Sequence, residues 1–349
     1  MAYASITKPS LHFNTKLYTG NGSTQSITGV GFQPDYTWTK LRSTSSNHMN
    51  QDAVRGSTKH LHANTADSEV NDTNGVTSFD TDGFSVGSNG NVNNNSSTIV
   101  SWNWKANGSG SSNTDGNATA TVSANTTAGF SIVKWSSNGQ EQSIGHGLGV
   151  TPSMIIMKTR NTGDGWIVGH KDNGWAYYQV LQGTNAKISD DRMFSPSGGS
   201  DPTNSLWWTN SAGWVTGGST NCIAYCFAEK KGYSKFGSYI GNGNADGVFV
   251  YTGFKPAFVM CKRSDGGTQN WCIMDNKRGL NPDVQQLHPN TDGVETLGSG
   301  DTLDLLSNGF KMRANDGDKN GSDETFIYMA IAEEPLVANV GESIPATAR

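Results

Sequence analysis

The chain has 349 residues, a formal net charge of −5, 16% charged and 34% hydrophobic residues, and 43 glycines. That balance excludes the clustered basic face a nucleic-acid footprint needs, and no run approaches the length of a membrane-spanning helix. Ten Trp, 13 Phe and 10 Tyr supply enough apolar area for packed cores, which excludes a chain disordered throughout.

In chain order, residues 1–16 read as an N-terminal arm ahead of the first strand. Its start lacks a basic segment followed by an apolar one, so synthesis in a cytoplasm without a signal peptide is expected. Unit one, 17–105, opens on Leu17-Tyr18-Thr19-Gly20-Asn21-Gly22. Gly31-Phe32-Gln33-Pro34 follows, then an apolar run with Trp38, then Lys40 and Arg42. Leu61 with Asn64 and Gly83-Phe84 lead to the alternating run Ile99-Val100-Ser101-Trp102-Asn103-Trp104. Residues 106–127 contain little but Gly, Ser, Asn, Thr, Ala and Asp, and read as a flexible linker or long surface loop.

Unit two, 128–232, says the same again. Gly149-Val150-Thr151-Pro152 precedes Met154-Ile155-Ile156-Met157, Lys158 and Arg160. Trp166-Ile167-Val168, Leu181 with Asn185, Gly213-Trp214 and Ile223-Ala224-Tyr225-Cys226-Phe227 complete it. Unit three, 233–336, opens on Ser238-Tyr239-Ile240-Gly241-Asn242-Gly243. It continues through Gly253-Phe254-Lys255-Pro256, Lys262, Arg263, Trp271-Cys272-Ile273, Leu287 with Asn290, and Gly309-Phe310 to Ile327-Tyr328-Met329-Ala330-Ile331. Residues 337–349 form a polar tail. Unit one departs from the pattern, with Met49-Asn50-Gln51-Asp52 where the others carry a Trp strand.

The prolines stand 118 and 104 residues apart, too far for a solenoid of one supersecondary unit per repeat. Short β-branched and aromatic runs bounded by Gly, Asn and Asp are strand signals, and long amphipathic helical patterns are absent. The expected fold is all-β: three related β-sandwich units, jelly-roll or lectin-like, in tandem. The short connection at Lys230–Lys235 makes units two and three the expected pair to share an interface. The recurrent Lys after each Pro strand reads as a base snorkelling at a strand end.

Signals for chemistry are sparse. Asp316, Asp318 and Asn320, with Gly321, match the first half of a calcium loop, but the closing Glu position is Ile327. Ca²⁺ there competes with a solvated hairpin turn, which is the favoured reading; no other cofactor is expected. His60 and His62 share one strand face, but His62 and His288 occupy matching repeat positions, which points to a role in the fold. Cys222 and Cys226 lie too far apart along one strand to bridge, whereas Cys261 and Cys272 are able to pair across neighbouring strands; reduced, buried thiols are the favoured reading. No cysteine spacing resembles a zinc site. Adjacent carboxylates at Asp190-Asp191 and Glu333-Glu334 point to opposite faces of a strand, and no nucleophile elbow or phosphate loop stands out. An enzyme is therefore not expected. The aromatic set Trp175, Tyr177, Trp207 and Trp208 is the strongest functional lead, because ring faces beside Asn and Asp are what sugar recognition uses.

Phe13-Asn14-Thr15-Lys16-Leu17-Tyr18-Thr19-Gly20-Asn21-Gly22, Ile27-Thr28-Gly29-Val30-Gly31-Phe32-Gln33-Pro34-Asp35 and the closing Phe326–Glu333 run resemble virion structural proteins of marine tailed phages, notably cyanophages. The resemblance covers the whole chain. It implies a tail-fibre or tail-associated adhesin located in the virion and contacting host surface glycans. Other virion proteins and further copies of the chain would be its partners, as a trimer if it is a fibre. The alternatives are a capsid decoration, head fibre or connector without a ligand, and a glycan depolymerase. Neither nucleic-acid binding nor membrane insertion is expected.

Overall fold

The alternating runs form antiparallel strands in the computed structural model, which describes residues 4, 6–210, 220–281, 283–296 and 302–335. The fold is all-β, as the turn-rich, helix-poor sequence implies. The expected Gly213-Trp214 turn and the tail at 337–349 lie outside the described residues.

Each repeat builds one main sheet in the same order: lead-in strand, closing strand, Pro–Lys strand, then shorter strands. In unit one these are Phe13–Thr19, Thr98–Trp104, Tyr36–Leu41, Met49–Asp52 and Lys59–His62. In unit two they are Phe130–Ser136, Asn221–Phe227, Met154–Thr159, Ile167–His170 and Tyr177–Val180. In unit three they are Ser234–Ile240, Thr325–Pro335, Phe254–Arg263, Cys272–Asp275 and Gln286–Leu287. Met49–Asp52 thus occupies the place of the Trp strand, without the Trp. Register makes Trp104, Phe227 and Ile331 equivalent, because they face Tyr36, Met154 and Phe258.

The closing strands are buried on both faces, and their period of two sends alternate residues to two cores. Val100, Trp102 and Trp104, Ile223, Tyr225 and Phe227, and Ile327, Met329 and Ile331 all enter one cluster common to the three units. The opposite residues of units two and three, such as Cys222, Ala224, Phe326 and Tyr328, enter separate lateral cores. A small sheet accompanies each main sheet: Gln25–Thr28 with Gly83–Val86 and Val76–Asp80, Gln142–Gly145 with Leu206–Thr209, and Phe249–Tyr251 with Gly309–Met312 and Leu303–Leu306. The three units therefore do not stand as beads; they close around one aromatic centre. Trp104 shows this most directly. Its ring lies 4.9–6.4 Å, centroid to centroid, from Phe13 and Tyr36 of unit one, Phe130 and Phe227 of unit two, and Phe258 of unit three.

Polar contacts repeat around the ring. The Glu69 N–H donates to the Arg160 carbonyl at 2.6 Å, Lys187 to Ser264 at 3.0 Å and Glu295 to Arg42 at 2.8 Å, linking unit one to two, two to three, and three to one. Two links carry ion pairs as well: Glu69 with Arg160 and Glu295 with Arg42, both at 2.7 Å. The link at Lys187 and Ser264 has neither partner type. Trp166 Nε1 donates to the His62 carbonyl at 2.7 Å and Trp271 Nε1 to that of Val180 at 3.0 Å.

Two expectations about the organisation of the chain fail. Phe13 to Lys16 belong to a paired strand rather than to an arm, with Phe13 facing Trp104. The expected linker at 106–127 contains Ser111–Asn113 and Ala120–Asn125, which extend the unit-two sheet beyond Phe130–Ser136. Its small residues suggested flexibility, yet Ala118, Ala120 and Val122 are buried in the lateral core. Small side chains suit a strand that packs closely against that core.

Candidate functional site

The aromatic set expected to bind sugar does not form one surface. Trp207 and Trp208 do point to opposite faces of Leu206–Thr209. Trp207 is fully buried, edge-on to Trp135 at 5.5 Å, so it is a core residue and not a ligand contact. Trp175 is likewise buried, packed on Phe194 at 5.6 Å. Both were selected because ring-rich runs look the same whether they line a cleft or a lateral core. Tyr177 is half-buried, with Lys187 Nζ 4.8 Å over its ring, and Trp208 is half-buried.

The calcium expectation meets a loop closed by its own protein donors. Asp316 accepts from the Asp318 N–H at 2.8 Å and is paired with Lys319. Burial pushes the Asp316 carboxyl up, but Lys319 outweighs it and leaves the group below its ordinary range. Asp318 accepts from the Asn270 N–H at 2.7 Å and from Asn270 Nδ2 at 3.1 Å. Asn320 is fully buried and accepts from the Asn242 N–H at 3.1 Å. Its amide donates to Asn242, Asn244 and Ala314. Asn93 does the same work in unit one, binding Asn21, Ser23 and Gly87. The Asp/Asn pattern is thus the sequence trace of a repeated loop clamp. His60 and His62 share their strand face, rings 5.1 Å apart, and burial drives His60 down to about 4.

A cleft of about 310 Å³ opens between the end of unit two and the start of unit three, lined by Glu229, Lys231, Ser234, Lys235, Tyr251 and Pro335. Glu229 follows the closing strand of unit two, and the turn after it returns at once into Ser234–Ile240, which brings Lys235 back onto its carboxylate. Tyr251 ends Phe249–Tyr251, an edge strand whose middle residue, Val250, is buried. Strand alternation therefore pushes both flanking rings outward: Tyr251 is 59% and Phe249 45% exposed. Glu229 pairs with Lys171 at 2.9 Å and Lys235 at 2.7 Å. Burial raises the Glu229 carboxyl, but the two ammonium groups outweigh it and hold the group below its usual range. At neutral pH the cleft thus offers an ionised carboxylate, ammonium groups and an exposed ring face.

That chemistry fits a hydroxylated ligand with an apolar face: the ring stacks, the carboxylate accepts from hydroxyls, and the ammonium groups donate. Tyr251 is not among the residues expected from the sequence to bind a ligand. Its signal was the alternation Phe249-Val250-Tyr251, two rings on one face of a strand beside Gly253. Among the described residues, no helix is long and apolar enough to cross a membrane. No curated protein matches the chain. The family model described as Domain of unknown function (DUF7483) matches residues 8–335, and the chain belongs to that family.

Proposed function

We propose that the chain is a virion structural protein of a tailed phage, a tail-fibre or tail-associated adhesin that contacts host surface glycans through the cleft at Glu229 and Tyr251. The single observation that carries the glycan reading is the exposed Tyr251 ring beside the lysine-held Glu229 carboxylate. Stacking on the C–H face of a sugar gives the apolar part of the binding energy, about 0.5–1.5 kcal/mol per ring beyond area burial. Glu229 supplies the directional part as an acceptor; held ionised, it is a poor proton donor, which suits recognition better than acid catalysis. Lys231 and Lys235 favour sugars bearing a carboxylate or sulfate.

A body of three interlocked units also suits a particle component, since its hydrogen-bonded seams resist local opening. Further copies of the chain and other virion proteins are the proposed partners. The test has two arms. Glycan-array binding should fall about ten-fold or more in Tyr251→Ala, with unchanged thermal stability because the ring is already exposed. Antibody labelling of intact virions should mark the tail. Label over the head, or an array on which the unaltered protein binds nothing, would overturn the adhesin reading in favour of a decoration or connector.

A further inference from the structure

Unit three brings three metal-ligating side chains from three chain segments to one point, with a second thiol opposite one of them. Cys261 on Phe254–Arg263 lies directly opposite Cys272 on Cys272–Asp275. Both are buried free thiols. His288, just after Gln286–Leu287, places Nδ1 3.7 Å from Cys272 Sγ. A carboxylate oxygen of Asp318 joins them, so that the Cys272, His288 and Asp318 ligand atoms all lie within 4.8 Å of one another. In a tetrahedral zinc site, with Zn–S about 2.3 Å and Zn–N about 2.0 Å, sulfur and nitrogen stand roughly 3.5 Å apart. The observed separation is close to that edge.

The fold itself does not require this set. Register places Thr39, Met49 and His62 at the matching positions of unit one, and Met157, Ile167 and Val180 in unit two. Unit two fills the space with three plain apolar side chains. Two thiols and an imidazole in the same place, with a carboxylate from the 316–320 loop, therefore ask for another explanation than packing.

We propose that Cys272, His288 and Asp318, with Cys261 as fourth donor, bind one zinc ion that ties the 316–320 loop to the main sheet of unit three. Thiolate and imidazole donors in tetrahedral reach select zinc over magnesium or calcium. Two thiolates and a carboxylate on a dication leave one net negative charge, and the buried Lys319 ammonium, which bonds Gln286 at 3.0 Å, stands beside the site to offset it. Asn270 already orients the Asp318 carboxylate through two hydrogen bonds, as the supporting residues of a metal site do. On binding, the His288 Nδ1 proton, now donated to the Trp271 carbonyl at 2.9 Å, leaves with the thiol protons.

The site is testable on the full chain, reduced and stripped with a chelator, by titration with Co²⁺. A thiolate-to-cobalt absorption band and tetrahedral ligand-field bands should saturate at one equivalent and vanish when Zn²⁺ is added. Cys272→Ser and Cys261→Ser should each lower the thiolate band by about half or more, the double variant should abolish it, and Asp318→Asn and His288→Gln should each weaken binding about ten-fold or more. Cys222→Ser, which removes a buried thiol of unit two, should change nothing. Circular dichroism separates lost ligation from lost folding, and the partly exposed Asp318 is the variant least prone to misfold. A featureless titration of the unaltered chain, a band that survives removal of both Cys261 and Cys272, or a Cys261–Cys272 disulfide in freshly purified protein would each overturn the proposal.

Discussion

At the scale of single residues, the structure rests on buried charges that close the seams between units. Asp52 and Arg55 form a fully buried pair, and Tyr225 of unit two inserts its hydroxyl, donating to Asp52 at 2.9 Å and accepting from Arg55 at 3.1 Å. Asp275 and Arg278 repeat the pair in unit three, where Trp102 of unit one donates to Asp275 at 2.8 Å and lies 5.3 Å beneath the guanidinium. Unit two has His170 and Asn173 at the matching positions, and there the His170 ring bonds the Tyr328 carbonyl of unit three at 3.2 Å. Removing one member leaves a buried charge without its partner, so Asp52→Ala should cost about 3–5 kcal/mol in denaturant unfolding. Tyr225→Phe should cost only about 1–2 kcal/mol, because the ion pair survives it. Equal losses would mean that the hydroxyl, not the ion pair, holds the seam. The Asp-x-x-Arg pattern at 52–55 and 275–278 is plain in the sequence, but nothing local says that a Tyr or Trp 173 residues away will complete it.

The same buried polar groups set the acid limit. Burial drives His60, His146 and His170 each down to about 4, so they are neutral in the folded protein while the unfolded chain protonates them near 6.5. The unfolded state thus binds more protons between these values, and stability falls as pH drops from about 6.5 to about 4. Glu69 adds to the loss further down: its folded pKa lies below the ordinary 4.5, where burial is outweighed by Arg160 and Arg55, so its contribution disappears as pH falls through that depressed value. Three histidines give a slope of up to about 4 kcal/mol per pH unit. Thermal midpoints recorded from pH 7 to pH 4 should fall steadily, and His146→Gln should flatten the curve. A midpoint unchanged down to pH 5 would show that these rings are solvated.

At the scale of elements, what the sequence made legible was order and what it hid was neighbours. Pro–Lys runs and alternating closing strands lie where the repeat puts them in all three units, and the Gly–aromatic steps do so at Gly83 and Gly309, because each is encoded within a few residues. The Lys that snorkelling was expected to explain is buried instead: Lys40, Lys158 and Lys262 are each fully covered, their ammonium groups donating to the carbonyls of Leu41, Asp164 and Arg263. Burial lowers all three to about 8. The expected linker is strand at 120–125 because pairing with Phe130–Ser136, not composition, decides the state of a short Ala/Thr/Ser run. The seams are unequal in a way that can be measured. Glu69→Gln removes charge-assisted bonds to two arginines and should cost about 1.5–3 kcal/mol. Lys187→Gln, at the backbone link that no ion pair accompanies, loses only its contact with the Tyr177 ring and should cost about 0.5–1 kcal/mol. Similar costs at both places would mean that the backbone bonds alone join the units.

At the scale of the molecule, a shared centre makes three repeats into one cooperative body. A chain of separate domains would unfold in steps, each with its own midpoint, and a mutation would shift only the step of its own domain. Here Trp104 packs on rings from all three units, and the closing strands of all three feed the same cluster. No unit buries that face alone. A fragment spanning residues 108–335 would expose the aromatic faces that unit one covers, about 25 cal/mol for each Å² of apolar surface returned to water. It should therefore be aggregated or molten, with weak near-ultraviolet circular dichroism, rather than folded. In the full chain, Trp104→Ala should cost about 3–5 kcal/mol. Scanning calorimetry should show a single transition with equal calorimetric and van't Hoff enthalpies, displaced as a whole by the mutation. Two or three resolved transitions, with only one moving, would show that the centre is a contact between finished domains and not the core that makes them fold.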